Sequence, residues 1–153
     1  MKKLPAEIER GSMEIITDEL GARGITLPPG QAAVILRCIH ASADFDYAEN
    51  LRFTPGAVEK AVEALRAGAK IVTDTNMALA GISRPGLDKL GGAAYCFMAE
   101  DFIAAAAKRQ GTTRAVAAMD YAAEHHPNAI LAVGNAPTAL FRVAEKIEAG
   151  LRP

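Results

Sequence analysis

The sequence predicts an α/β fold with a mainly parallel sheet. Three observations carry that expectation. Short apolar runs of strand type alternate with amphipathic helical stretches through the second half of the chain. Half of the residues are hydrophobic but only 5% are aromatic, and 32 of 153 are Ala, so the core must be small and aliphatic, which suits helices packed closely on a sheet. The length, 153 residues, fits one domain and is read as one, residues 1–153.

Residues 5–20 read as an amphipathic helix in which Ile8, Ser12, Ile15, Ile16 and Leu20 share a face, with Glu7, Glu9, Glu14 and Asp18 on the others. Gly21 and Gly24 end it, and Leu27-Pro28-Pro29-Gly30 is a turn. The apolar run Ala32–Ile39 is too short for periodicity to decide; helix is preferred. Thr54-Pro55 supplies an N-cap hydroxyl and a first-turn proline for a helix whose inner stripe is Val58, Ala61, Val62 and Leu65, closed by Gly68. Three strands are expected: Ala69–Thr73 running to Asp74, Ala93–Met98 after Gly91-Gly92, and Ala129–Val133 after Pro127-Asn128. Helices fill Glu100–Arg109 and Thr113–Glu124, separated by Gly111. Pro137 opens a last helix with Leu140, Val143, Ala144 and Ile147 inward and Arg142, Glu145 and Glu148 outward.

Composition removes several function classes. The net charge is -1, so no basic stripe exists to neutralise a phosphate backbone, and nucleic acid is not an expected partner. No run approaches the roughly 20 apolar residues of a membrane span. Met1–Arg10 carries charges and no apolar h-region, so no signal peptide is visible and a cytoplasmic location is expected. Cys38 and Cys96 form neither a CxxC nor a metal spacing and read as two free, buried thiols. Neither a nucleophile elbow nor a zinc-ligand set occurs.

Ligands of parallel sheets bind beyond the carboxyl ends of the strands. The strand-exit segments Asp74-Thr75-Asn76-Met77 and Gly134-Asn135-Ala136-Pro137-Thr138 carry small polar groups that no core needs, so Asp74, Asn76, Asn135 and Thr138 are candidate ligand contacts. The second segment is either an ordinary strand–turn–helix or an anion site made of loop N–H groups at a helix start. His40 is the most informative titratable residue: either a general acid/base or a buried imidazole satisfied by one backbone bond. Arg37, three residues earlier, shares its face if the run is helical. Arg114 opens a helix capped by Thr113 and is either a bidentate carboxylate ligand or a solvated cation. Ser12 interrupts an apolar face and either bonds back to its own helix or faces a ligand. His125-His126 reads as a positively charged helix end rather than a metal site. Asp44 or Asp46 could orient His40.

The run Ile39-His40-Ala41-Ser42-Ala43-Asp44-Phe45 resembles the histidine motif of precorrin-8X methylmutases, the precorrin isomerases of cobalamin biosynthesis. Thr73–Ile82 and Gly134–Leu140 resemble two further signatures of that family, and Thr113-Arg114-Ala115 and Arg10-Gly11-Ser12 match as well, in family order. The resemblance implies a three-layer α/β/α, flavodoxin-like domain that pairs as a homodimer. It implies an isomerase that moves a methyl group from C-11 to C-12 of precorrin-8 or cobalt-precorrin-8, giving hydrogenobyrinate or cobyrinate, with no redox cofactor. By the same resemblance His40 is the proton donor and acceptor, and Ser12, Arg37 and Arg114 bind the tetrapyrrole. Family members continue past the helix after Gly-Asn-Ala-Pro-Thr with a further strand and helix, so the chain is expected to be a C-terminally shortened relative, either active or binding corrinoids without turnover.

Overall fold

The computed structural model describes residues 4–153, and its contacts divide the chain into two units, one ending at Lys60 and one spanning Ala61–Pro153. Part of the Met1–Arg10 reading rests on Met1–Lys3, which lie outside the described residues. No helix among the described residues is long and apolar enough to cross a membrane.

The first unit is helical. Pro5 sits at the first position of α1 (Pro5–Ala22), where a missing N–H costs nothing, and the Glu7 carboxylate reaches back to accept the Leu4 N–H at 2.8 Å. The turn expected at Leu27–Gly30 is instead a helix start. Pro28 is the N-cap and Pro29 the first residue of α2 (Pro29–Ser42), since proline's fixed φ already suits a first helical turn. The preference for helix over Ala32–Ile39 therefore holds. Ala43 closes α2 in the left-handed conformation, its N–H bonding to the Ile39 carbonyl at 2.7 Å. The short α3 (Tyr47–Asn50) follows. Ile16 and Leu20 of α1 meet Ile35 and Ile39 of α2 in a small apolar core, with Phe45 and Phe53 packed around it. Only one end of the expected α1 face is used: Ile8 and Ile15 are exposed.

The Thr54-Pro55 cap is a correction. The Ala57 N–H bonds to the Thr54 carbonyl at 3.0 Å and Gly56 has φ +73, so residues 54–57 form a type II turn. Helix α4 (Ala57–Arg66) starts after it. Its expected inner stripe is not buried: Val58, Ala61 and Leu65 are half-buried and Val62 is exposed.

The second unit holds three parallel strands, β1 (Ile71–Thr73), β2 (Ala94–Tyr95) and β3 (Ile130–Ala132), in the order β2-β1-β3. Ile71 pairs with Ala94 on one side and Ile130 on the other. The second strand is shorter than its apolar run. The Thr73 hydroxyl, which bonds to the Thr75 carbonyl at 2.9 Å, lies 3.3 Å from the Tyr95 carbonyl, and the Glu100 N–H already turns back to Phe97. Between the strands run α5 (Asn76–Gly81), α6 (Arg84–Asp88), α7 (Asp101–Gln110) and α8 (Arg114–His125), and α9 (Pro137–Glu148) follows β3. Val72, Ile103, Met119 and a run of alanines from α7 and α8 form the core, as the Ala-rich composition anticipates. The thiols of Cys38 and Cys96 are free but half-buried rather than buried.

The expected faces of α9 hold for Val143, inward, and for Glu145 and Glu148, outward, but not for the rest. Ala139 and Val143 are buried and Arg142 is half-buried, while Leu140, Phe141, Ala144 and Ile147 face outward, Phe141 with 69% exposure. Asp120 of α8 decides this. Its carboxylate accepts from Arg142 Nε at 2.8 Å and Nη2 at 3.2 Å, and Lys146 Nζ lies 2.8 Å away. This charged network draws the Arg142–Lys146 side of α9 toward α8 and turns the apolar row out.

His126 is a second surprise. It lies among the rings of Tyr95 and Phe97, stacked at centroid distances of 5.2 and 5.5 Å. Burial holds its pKa below the ordinary histidine value, with the Lys70 and His125 charges adding to the effect.

Gly92 packs so closely that a Cβ would lie 2.6 Å from Leu87 Cδ1 and 2.9 Å from the Ala69 carbonyl. Gly92→Ala is expected to lower stability by about 1–3 kcal/mol, measured by urea denaturation.

Candidate active site

The expected residues fall into two groups, one in each unit. In the first unit, α2 carries Arg37 and His40 one turn apart on its exposed side. His40 is exposed and has no hydrogen-bond partner among the described residues, so the alternative of a buried, satisfied imidazole does not apply. Neither aspartate nearby orients it: Asp44 accepts the Asp46 N–H at 2.9 Å in a local turn. Ser12 is half-buried on α1 and donates to the Ile8 carbonyl at 3.0 Å, the back-bonded alternative.

Arg37 is exposed and its Nη2 donates to Glu9 Oε1 of α1. In the sequence Glu9 is marked only as one of the acidic residues of α1. The hydrogen bond and charge of Arg37 hold the Glu9 carboxyl below the usual range, outweighing the opposing effect of desolvation, and His40 contributes a smaller lowering.

In the second unit, Asp74 follows β1 and is 1% exposed. Its Oδ1 accepts the Gly134 N–H at 3.1 Å, and its Oδ2 accepts those of Asn135 at 2.8 Å and Ala136 at 2.7 Å. The loop N–H groups that suggested an anion site are thus filled by the protein's own carboxylate. Asp74 is a staple between two strand exits, not an accessible ligand contact. Burial alone would push its carboxyl up; the three backbone N–H bonds outweigh that and hold it below the ordinary aspartate value.

Other helix starts are filled in the same way. Thr75 Oγ1 accepts the Ala78 N–H at the start of α5, and Thr113 Oγ1 accepts the Val116 N–H at the start of α8. Thr113 also lies 3.4 Å from Thr138 Oγ1, which ties the starts of α8 and α9 together. Asn76, Asn135, Thr138 and Arg114 are all exposed, and Arg114 has no ion-pair or hydrogen-bond partner among the described residues. A shallow cavity of about 250 Å³ lies against Val133–Pro137 and Leu140. Around these segments the side chain left to recognise an anion is Arg114 rather than the loop N–H groups of 134–136.

Comparison with known proteins gives these groups a context. The chain is 42% identical over 148 residues to a cobalt-precorrin-8 methylmutase of Salmonella typhimurium, covering 92% of this chain and 69% of that protein. It is 36% identical over 146 residues to a cobalt-precorrin-8 methylmutase of Priestia megaterium, covering 95% of this chain and 64% of that one. A solved precorrin-8x methyl mutase from Thermus thermophilus superposes with a TM-score of 0.87 at 38% identity, over 97% of this chain and 71% of the other. The chain thus spans between 64% and 71% of the length of these relatives. The model of one family, precorrin-8X methylmutase, matches residues 7–153, nearly everything from α1 to the last residue. The chain belongs to the precorrin-8X methylmutase family.

Proposed function

We propose that this chain is a precorrin-8X methylmutase of cobalamin biosynthesis, an isomerase that moves the C-11 methyl group of precorrin-8 or cobalt-precorrin-8 to C-12. The observation that carries this reading is the exposed Arg37–His40 turn of α2 inside a family match that runs over residues 7–153. The substrate is an apolar macrocycle rimmed with carboxylates. Arg37 and Arg114 supply forked donors for the rim, and Asn76, Asn135, Thr138 and Ser12 supply neutral polar contacts. His40 gives a proton to the ring, which stabilises charge developing during the migration, and takes it back afterwards. The migration is intramolecular, so no nucleophile and no cofactor enter the scheme. Any cobalt belongs to the substrate. Asp74 acts indirectly, by fixing the loop that presents Asn135 and Thr138.

The finer fold reading is a three-layer, flavodoxin-like domain in a cytoplasmic homodimer. The remaining third of the relatives' length is read as a strand–helix unit. The parallel order β2-β1-β3 supports the α/β part of this reading.

Incubation with precorrin-8 is expected to convert its visible spectrum to that of hydrogenobyrinate. Unchanged spectra at stoichiometric protein would overturn the enzyme reading. The second reading is a relative that binds corrinoids without turnover. Tight binding of cobyrinate with no conversion would select it.

A further inference from the structure

The ion pair between Glu9 and Arg37 differs from the other long-range ion pair described. Arg142 is held by two carboxylates through three N–H groups, and Asp120 is shared with Lys146. Arg37 is held at a single point, through Nη2, with side-chain exposures of 58% for Arg37 and 47% for Glu9. A guanidinium has five N–H donors, so most of its capacity is unused. Exposed pairs of this kind contribute about 0–1 kcal/mol to stability, too little to explain the pair as a fold staple. The pair also sits one helical turn from His40, on the face assigned to the substrate.

We infer that Glu9 is the resident counter-carboxylate of Arg37 and is displaced by a carboxylate of the tetrapyrrole when substrate binds. The inference rests on the functional reading above. The exchange is like for like: one carboxylate leaves the guanidinium and another takes its place, with no bond made or broken. Glu9 is therefore a positioning and specificity residue that acts through Arg37. It keeps the arginine extended from α2 before substrate arrives and sets a threshold that only a carboxylate-bearing ligand passes. A neutral ligand cannot compete for the same donors.

The test is a visible-absorbance titration with cobyrinate and with its uncharged heptamethyl ester. Glu9→Gln is expected to bind cobyrinate about two- to fivefold more tightly than the parent, the range that an exposed ion pair spans. The ester should bind both proteins equally. In an Arg37→Gln background the gain from Glu9→Gln should vanish, which separates exchange at Arg37 from general repulsion of anions by Glu9. With precorrin-8, KM should fall on Glu9→Gln in the parent background and not in the Arg37→Gln background; a merely structural role would not produce that split. No gain in the parent background, or an undiminished gain in the Arg37→Gln background, overturns the exchange and leaves the functional reading standing. A parent protein that binds no cobyrinate overturns the functional reading, and the exchange falls with it.

Discussion

Alanine at position 40 is expected to lower turnover of precorrin-8 by about two to four orders of magnitude, the span of a lost general acid/base. His40 is an exposed residue near the end of α2 and makes no hydrogen bond to another described residue. Its removal therefore deletes chemistry without deleting packing. The variant should unfold at the parent's denaturant midpoint and bind cobyrinate within a few-fold of it, so that the loss falls on kcat. Full turnover by His40→Ala would reject the proton-transfer role. A loss of both binding and folding would make His40 a structural residue.

The largest stability effect is expected at Asp74. Replacing it with asparagine swaps one acceptor oxygen for an NH₂ donor, which must confront an N–H of the 134–136 loop. At least one part-buried amide loses its partner and the charge assistance disappears from the rest. A cost of about 3 kcal/mol or more is expected in urea denaturation at neutral pH. The pH dependence has a definite sign. The folded-state value of Asp74 lies below its unfolded value of about 3.9, so its contribution is fully present above that value and fades as pH falls toward the folded one. The parent should therefore lose stability in acid more steeply than Asp74→Asn. Parallel acid profiles would mean that the carboxylate is not the group holding the loop.

Much of the element order was readable because helices and strands here differ in period and are bounded by Pro and Gly. Gly68, Gly111 and Pro137 mark ends that the structure keeps. The errors share one cause: local signals were outweighed by a partner distant in sequence or by the next residue along. Thr54-Pro55 has the form of a cap, but Gly56 permits the positive φ that makes it a type II turn. The apolar side of α9 predicts its own burial, yet Asp120, on another helix, reverses the choice. The site follows the same pattern. His40, Arg37 and Arg114 were legible because charged and titratable side chains announce their chemistry. The pairing of Arg37 with Glu9, and of Asp74 with a loop 60 residues away, depends on tertiary proximity that no spacing encodes. The Glu-rich face of α1 was the only hint of the first. The polar character of both strand exits was the only hint of the second.

The ring cluster around His126 gives the molecule an internal reporter. The chain has no Trp and three Tyr. Tyr95 and Tyr121 both contact Phe97 in the second unit, at centroid distances of 5.8 and 4.9 Å, while Tyr47 is the one tyrosine of the first and is exposed. Near-ultraviolet dichroism will accordingly be dominated by Ala61–Pro153, whereas far-ultraviolet dichroism sums the helices of both units. Overlaying the two signals during thermal unfolding would measure directly whether the His40 half and the Asp74 half melt as one cooperative body or as two.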